Sequence, residues 1–468
     1  MDILSNGIPP ELASEIFAFC ALQNPLILCS VSKQWQAIAW ATPCLWTSIT
    51  VAIKPSTMAE TLPTTAHLVR QWLTRSGALP LKIHLAYRGS SSSSTSIDYT
   101  LLYPLIDLFN AHANRWRYLA LDIPSFLFSR FLGDPAVANA LEVLQLNVID
   151  SAKSNNPKFD LINAVPHPKS LFVVNMPLQS INICWNNIIN LEIATGSLLD
   201  IIQMLPQATS LVHCKFDRLF LPMNADIVLG EPIVVPHLRT LEFLSFNNAI
   251  SELLNAVTLP SLEDLSISFR VSSGLPEDTL VSLLDRSSCP LTSLRLGGVI
   301  VDESTFIHFL YALPVTLKTF SIASYHTDIY PVFTDDLFHE MVVGTSKPDS
   351  DHATQRLLPN LETLEYEGTC TFSWTNLFRA ISPLQLNPDA YSESDSTSSS
   401  PISSHRPLRN LMIRLQDYDI EPMTAEDLLS AIHLRKAGLN LDIRHLHDAN
   451  GRSDWISLCL WYHHDLHV

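Results

Sequence analysis

From about residue 115 onward one short phrase recurs: an apolar residue, two others, an apolar residue, one other, an apolar residue. Clear copies are Leu141-x-x-Leu144-x-Leu146, Leu238-x-x-Leu241-x-Phe243, Leu262-x-x-Leu265-x-Ile267, Leu291-x-x-Leu294-x-Leu296, Leu317-x-x-Phe320-x-Ile322, Leu361-x-x-Leu364-x-Tyr366 and Leu408-x-x-Leu411-x-Ile413. Weaker copies centre on Leu119, Leu171, Leu191 and Leu211. Side chains alternate between the two faces of a strand, so the phrase predicts a short strand with apolar residues pointing inward, then a return segment. Several return segments read as helices stopped by proline: Ser197 to Leu205, Ser251 to Leu259 and Ser304 to Leu313, ahead of Pro206, Pro260 and Pro314.

Consecutive centres from Leu119 to Phe320 lie 25, 27, 20, 20, 30, 24, 29 and 26 residues apart. That spacing resembles the leucine-rich repeat, whose period is roughly 20 to 29 residues. The rhythm breaks twice, with gaps of 44 and 47 residues from Phe320 to Leu364 and from Leu364 to Leu411. Thr334 to Val343 in the first gap reads as an extra helix. The second gap holds the serine-rich, acidic stretch Tyr391 to His405, expected as a disordered loop near residues 388–406. Before the repeats, His67 to Leu85 offers a helix and then an alternating strand, Leu79-x-Leu81-x-Ile83-x-Leu85, suited to capping the open edge of an array.

The first fifty residues follow a helical period instead. Pro9 and Pro10 open a helix where a missing N–H costs nothing, and Ile8, Leu12, Ile16 and Phe19 line one face with Phe17 beside it. Asn24-Pro25 is a second start signal, opening a helix predicted to run from Leu26 to Ala39 with Val31, Trp35 and Ile38 on one face. Thr42-Pro43 breaks it and Cys44-Leu45-Trp46 follows. A unit this small cannot bury all that surface alone.

The ordered set Ile8-Pro9-Pro10-Glu11-Leu12, Glu15-Ile16-Phe17, Val31-Ser32-Lys33-Gln34-Trp35 and Pro43-Cys44-Leu45-Trp46 resembles an F-box, in particular the F-box-like segment of fungal proteins. It covers under a tenth of the chain. Ile8 stands where leucine is commoner and Ser32 where many members have cysteine. The resemblance implies binding to the Skp-type adaptor of a cullin–RING ubiquitin ligase. By motif match the contact would come from Pro9, Leu12, Ile16, Phe17, Leu26, Leu28, Val31 and Trp35. The other reading of the same residues is a helical cap on the repeat array, with Trp35 and Trp46 as core.

The fold expected is therefore α/β: an F-box-like helical domain at 1–50, a linker and cap at 51–114, and an irregular leucine-rich-repeat solenoid at 115–468. Its parallel strands would form the concave face and its helices the convex one. Composition agrees with heavy burial. Of 468 residues 47% are hydrophobic and only 16% charged, where about 25% charged is usual. No apolar run reaches the roughly 18 residues of a membrane span, and the start of the chain carries no secretory pattern. A cytoplasmic or nuclear protein is expected. The net charge of −17 disfavours nucleic acid and anionic membrane as partners and favours a basic protein.

Little points to catalysis, a cofactor or a metal. None of the phosphate-loop, dinucleotide, nucleophile-elbow or zinc-protease motifs occurs, and the eight cysteines form no C-x-x-C pair. The histidines near the end (His445, His447, His463, His464, His467) lack carboxylate or thiol partners at sensible ligand spacing apart from Asp448, Asp465 and Cys459. Specificity is instead expected on strand positions between the apolar ones. There Glu192, Glu242, Asp264, Arg295, Glu365 and Glu367 are the charged candidates for holding a client protein, and their acidic excess suits a basic segment. The alternatives are a leucine-rich scaffold with no ligase role, and an enzyme whose site forms only in three dimensions.

Overall fold

The structure, a computed structural model, describes residues 9–20, 25–89, 98–149, 157–221, 231–245, 247–269, 274–324, 333–343, 357–382, 407–416, 422–445 and 454–465. Ile8, the serine run at 90–94 and the stretch at 388–406 lie outside them. The chain divides into two compact units, Met1–Asp226 and Ile227–Val468.

Among the described residues the first unit begins with three helices, α1 (Pro10–Cys20), α2 (Pro25–Val31) and α3 (Lys33–Trp40). It continues through β1 (Ser48–Ile53), α4 (Met58–Arg75), β2 (Leu81–Tyr87), α5 (Tyr103–Asn110), β3 (Trp116–Ile123), α6 (Val137–Ala140), β4 (Val143–Val148), β5 (Ser170–Val174), β6 (Asn190–Ser197), α7 (Leu198–Met204) and β7 (His213–Phe220). Strands β1 to β7 pair in chain order, each parallel to the next. Two apolar rows cross them. One is Ile49, Ile83, Leu119, Leu144, Leu171, Leu191 and Cys214; the other is Val51, Leu85, Leu121, Leu146, Val173, Ile193 and Phe216. Every one of these side chains is buried, each worth roughly 1.5–3 kcal/mol when a large aliphatic or aromatic group leaves water.

The second unit runs β8 (Ile233–Val234), β9 (Thr240–Phe243), α8 (Asn248–Ala256), β10 (Val257–Thr258), β11 (Asp264–Ser268), α9 (Glu277–Ser287), β12 (Ser293–Gly297), α10 (Glu303–Ala312), β13 (Thr319–Ala323) and α11 (Asp335–Val343). It ends with β14 (Thr363–Gly368), α12 (Trp374–Ile381), β15 (Asn410–Leu415), α13 (Ala425–Lys436), β16 (Asn440–His445) and α14 (Trp455–Asp465). Strands β9 and β11 to β16 again pair in chain order and in parallel. Their buried rows are Leu241, Leu265, Leu294, Phe320, Leu364, Leu411, Leu441 and Phe243, Ile267, Leu296, Ile322, Tyr366, Ile413, Ile443. These rows pack on the helix side, as Phe306 of α10 against Phe320 shows with ring centroids 6.2 Å apart. The α/β class and the serial parallel strands agree with the sequence pattern.

Four details depart from the sequence reading. The helix expected from Leu26 to Ala39 is two helices. Ser32 between them is extended (φ −157°, ψ 162°), and its hydroxyl accepts from Trp35 N at 3.1 Å, capping α3. The helix expected at Ser251 to Leu259 starts at Asn248, because Asn247 caps it by accepting from Ile250 N. It stops at Ala256, where Val257–Thr258 leaves to pair with Ile233–Val234. The weak repeat centred on Leu211 is centred three residues later, since Cys214 pairs with Leu191 in register. Complete burial pushes that thiol far up, so the cysteine serves as a small apolar residue. Finally, strand stacking begins at Ser48, within the residues assigned to the helical domain and its linker.

Helix α10 carries a pH-sensitive cap. The Asp302 carboxylate accepts from the Ser304 hydroxyl at 2.6 Å and from Thr305 N at 3.0 Å, bonds that hold its pKa down to about 2. A carboxyl depressed below its unfolded value, about 3.9, contributes stability that is full above that value and lost as pH falls through the folded one. Asp302→Ala should therefore unfold at lower urea than the parent at pH 7, and the gap should narrow below pH 4. A gap constant from pH 7 to 3 would contradict the assignment.

Candidate functional site

The three N-terminal helices fold around Phe17, Ala39, Leu45 and Trp46, with Leu28, Cys29, Trp35 and Ile38 packed against that centre. Phe17 meets Trp35 at 5.0 Å between centroids. The cluster is moored to α4: Trp72 of that helix meets Trp46 edge-on at 4.8 Å, and the Arg75 guanidinium lies over Trp40 and Trp46 at 4.6 and 5.0 Å. Trp46 Nε1 donates to Ala39 O at 2.8 Å, and a hydrogen bond of 2.9 Å joins the Ser14 and Thr42 hydroxyls. Burial raises the Cys29 thiol despite the positive charge of Arg75 nearby.

This inner docking leaves an apolar outside. On α1, Leu12, Ile16 and Phe19 share one stripe at helical spacing, and Leu12 is 50% and Phe19 81% exposed. On α2, Leu26, Ile27 and Val31 are exposed, Ile27 by 64%. The eight residues picked from the sequence thus separate. Pro9, Leu12, Ile16, Leu26 and Val31 face solvent, Leu28 and Trp35 are partly covered by the cluster, and Phe17 is 1% exposed. Phe17 is core and cannot reach a partner. Phe19 and Ile27, not picked, are the most exposed apolar side chains of the two helices. Phe19 sat on the predicted apolar face, so the signal was present; Ile27 had none.

The charged candidates all occupy strand positions that alternate with the buried rows. Glu192 belongs to the first unit, exposed beside Lys215 in register. The other five belong to the second. There Glu242, Ser266, Arg295, Ser321, Glu365, Met412 and Asp442 form one row across consecutive paired strands. Asp264 stands in the row before, and Glu367 in the row after, 3.9 Å from Arg414. The acidic excess expected of this surface is smaller than the sequence suggested. At the same positions β2, β7 and β16 add Lys82, Lys215 and Arg444 against Asp217 and Asp442, and Asp442 pairs with Arg444 at 2.8 Å. Strand β16 does not match the phrase because Gly438, at φ +99°, stands where the phrase has its first apolar residue.

In the first unit His84 Nε2 lies 3.0 Å from Asp122 Oδ2, and that hydrogen bond is the main reason the Asp122 carboxyl is held below its usual range. A groove of about 860 Å³ between α9 and α10 is lined by Glu277, Asp278, Asp285, Arg286 and His308. Its guanidinium is a structural tie, donating to Leu254 O at 2.7 Å and Val257 O at 2.8 Å. Among the described residues no group of three or more His, Cys, Asp or Glu could hold a metal, and no helix is long and apolar enough to cross a membrane. In comparisons with known proteins, no family model matches the chain and no curated protein matches it significantly.

Proposed function

We propose that the chain is a non-catalytic substrate receptor of a cullin–RING ubiquitin ligase in the cytoplasm or nucleus. In this reading residues 9–46 are an F-box-like module that docks a Skp-type adaptor, and leucine-rich-repeat strands hold a client protein. The observation that carries it is the two-sided character of α1 and α2: one side is locked on the Phe17–Trp46 cluster while Leu12, Ile16, Phe19, Leu26, Ile27 and Val31 stay in water. A helical cap would have no use for a second apolar side, and exposed apolar groups grouped on adjacent helices mark a protein contact. The receptor would perform no chemistry; it would raise the effective concentration of the client beside a separately bound conjugating enzyme.

The test is co-purification with a Skp-type adaptor. The unmodified chain should capture it, and the triple variant Leu12→Asp, Ile16→Asp, Val31→Asp should lose capture at least a hundredfold with its unfolding midpoint nearly unchanged. Trp35 is left alone because it packs on Phe17. No capture by the parent, or equal capture by the variant, sinks the ligase reading and leaves a repeat scaffold without that role.

A further inference from the structure

On the open side of the second unit, Arg295 projects into solvent from the middle of β12. Its register neighbours are small: Ser266 and Ser321 flank it on the adjacent strands, and Ser268, Gly297 and Ala323 lie in the next row. Gly297 keeps that floor low, since a Cβ there would come within 3.3 Å of Ser268 Oγ. Among the described residues Arg295 makes no ion pair, and neither does Glu365, two strands further along the same row beyond Ser321. The nearby Glu367 and Asp442 each have an arginine at hand. In the row of Arg295 the surface therefore offers a free cation and, two strands along at Glu365, a free anion above a hydroxyl floor.

Adjacent strands are about 4.8 Å apart, so the two charges stand roughly 9.6 Å from one another along the row. That distance is close to one turn of a polyproline II helix, three residues at about 3.1 Å each. Asp264 on the strand before Arg295, and Glu242 before that, make a purely acidic ligand unfavourable. A purely basic one would set a cation against Arg295. We infer that this row binds an extended client segment lying across the strands, with an Asp or Glu over Arg295 and a Lys or Arg three residues away over Glu365. The inference rests on the receptor reading only in calling the bound segment part of a client; the charge pattern stands on the strand register.

Selection of random displayed peptides on the purified full-length chain tests it. The parent should enrich an acid three residues from a base. Arg295→Glu should shift the enriched pattern to two bases at that spacing, and Glu365→Lys to two acids. A synthetic peptide of the parent pattern should bind either variant roughly fivefold more weakly, the factor corresponding to about 1 kcal/mol for an exposed pair. The same enriched pattern from all three proteins, or no charge pattern from the parent, overturns the inference. Adaptor capture measured on the same proteins separates the two claims, because Arg295 and Glu365 lie outside residues 9–46: lost capture with retained peptide selection removes only the ligase reading.

Discussion

Replacing Trp46 with alanine is expected to lower the unfolding free energy of the first unit by about 3–5 kcal/mol, the range for removing a buried aromatic ring. The side chain is fully buried, and three separate contacts meet on it: the edge of Trp72, the Arg75 guanidinium and the Ala39 carbonyl. Alanine leaves a cavity between the N-terminal helices and α4 and removes the shorter of two hydrogen bonds to that carbonyl, the other coming from Thr42 N at 3.2 Å. Trp46→Phe keeps most of the packing and loses only the Nε1 donor, so its cost should be about 1–3 kcal/mol. Urea unfolding of the parent and both variants, followed by tryptophan fluorescence, would rank them. Equal midpoints for parent and Trp46→Ala would show that the helices are not moored there. If they are, adaptor capture should fall in Trp46→Ala even though Trp46 itself is inaccessible to a partner.

The second unit has its own aromatic centre, and Tyr366→Ala should cost a similar 3–5 kcal/mol. The Tyr366 ring stacks on Phe333 at 4.3 Å and meets Phe372 edge-on at 6.1 Å, while its hydroxyl donates to Thr369 O at 2.7 Å. Phe338 and Trp374 extend the cluster, each 5.4 Å from Phe372. The cluster thereby ties α11, the helix inserted where the repeat lengthens, to β14 and α12. Gly368 belongs to the same arrangement: a Cβ there would lie 2.6 Å from Tyr366 Oη and 3.3 Å from Ser324 O. Tyr366→Phe should lose about 1 kcal/mol, the net worth of one hydrogen bond. Differential scanning calorimetry would place the loss, and an unchanged transition in Tyr366→Ala would refute the role given to the cluster.

Repeat positions were legible because they depend on a local rule. Leu144 and Leu146, or Leu294 and Leu296, are two residues apart, and a strand must send both to one side whatever its neighbours are. The periodicity centres the weak copy on Leu211 and not on Cys214 because a thiol is weakly apolar by composition, and only its place opposite Leu191 makes it a core residue. The helix break at Ser32 was missed for a related reason. Val31, Trp35 and Ile38 fit a continuous helix, and the competing bond from Trp35 N to the serine hydroxyl leaves no trace in periodicity.

The candidate surfaces divide the same way. That Leu12, Ile16 and Phe19 share a stripe follows from helix geometry alone. That Phe17 turns inward onto Trp35 while Phe19 remains in water depends on where α3 and α4 lie. Likewise the six charged strand residues could be named from alternation, but alternation says nothing about which charges neighbour one another. Register brings Arg414 beside Glu367 and places Arg295 and Glu365 two strands apart.

By itself, then, the sequence determined the class of the fold, the inward rows and the amphipathic character of the first helices, since each follows from spacing within a few residues. The tertiary structure decided the parallel pairing of the strands, the split into two units, the aromatic cluster that absorbs the inserted helix, and which apolar and charged groups remain unpartnered. Those depend on contacts between residues far apart in the chain, whose energies are set by distances that no local pattern encodes.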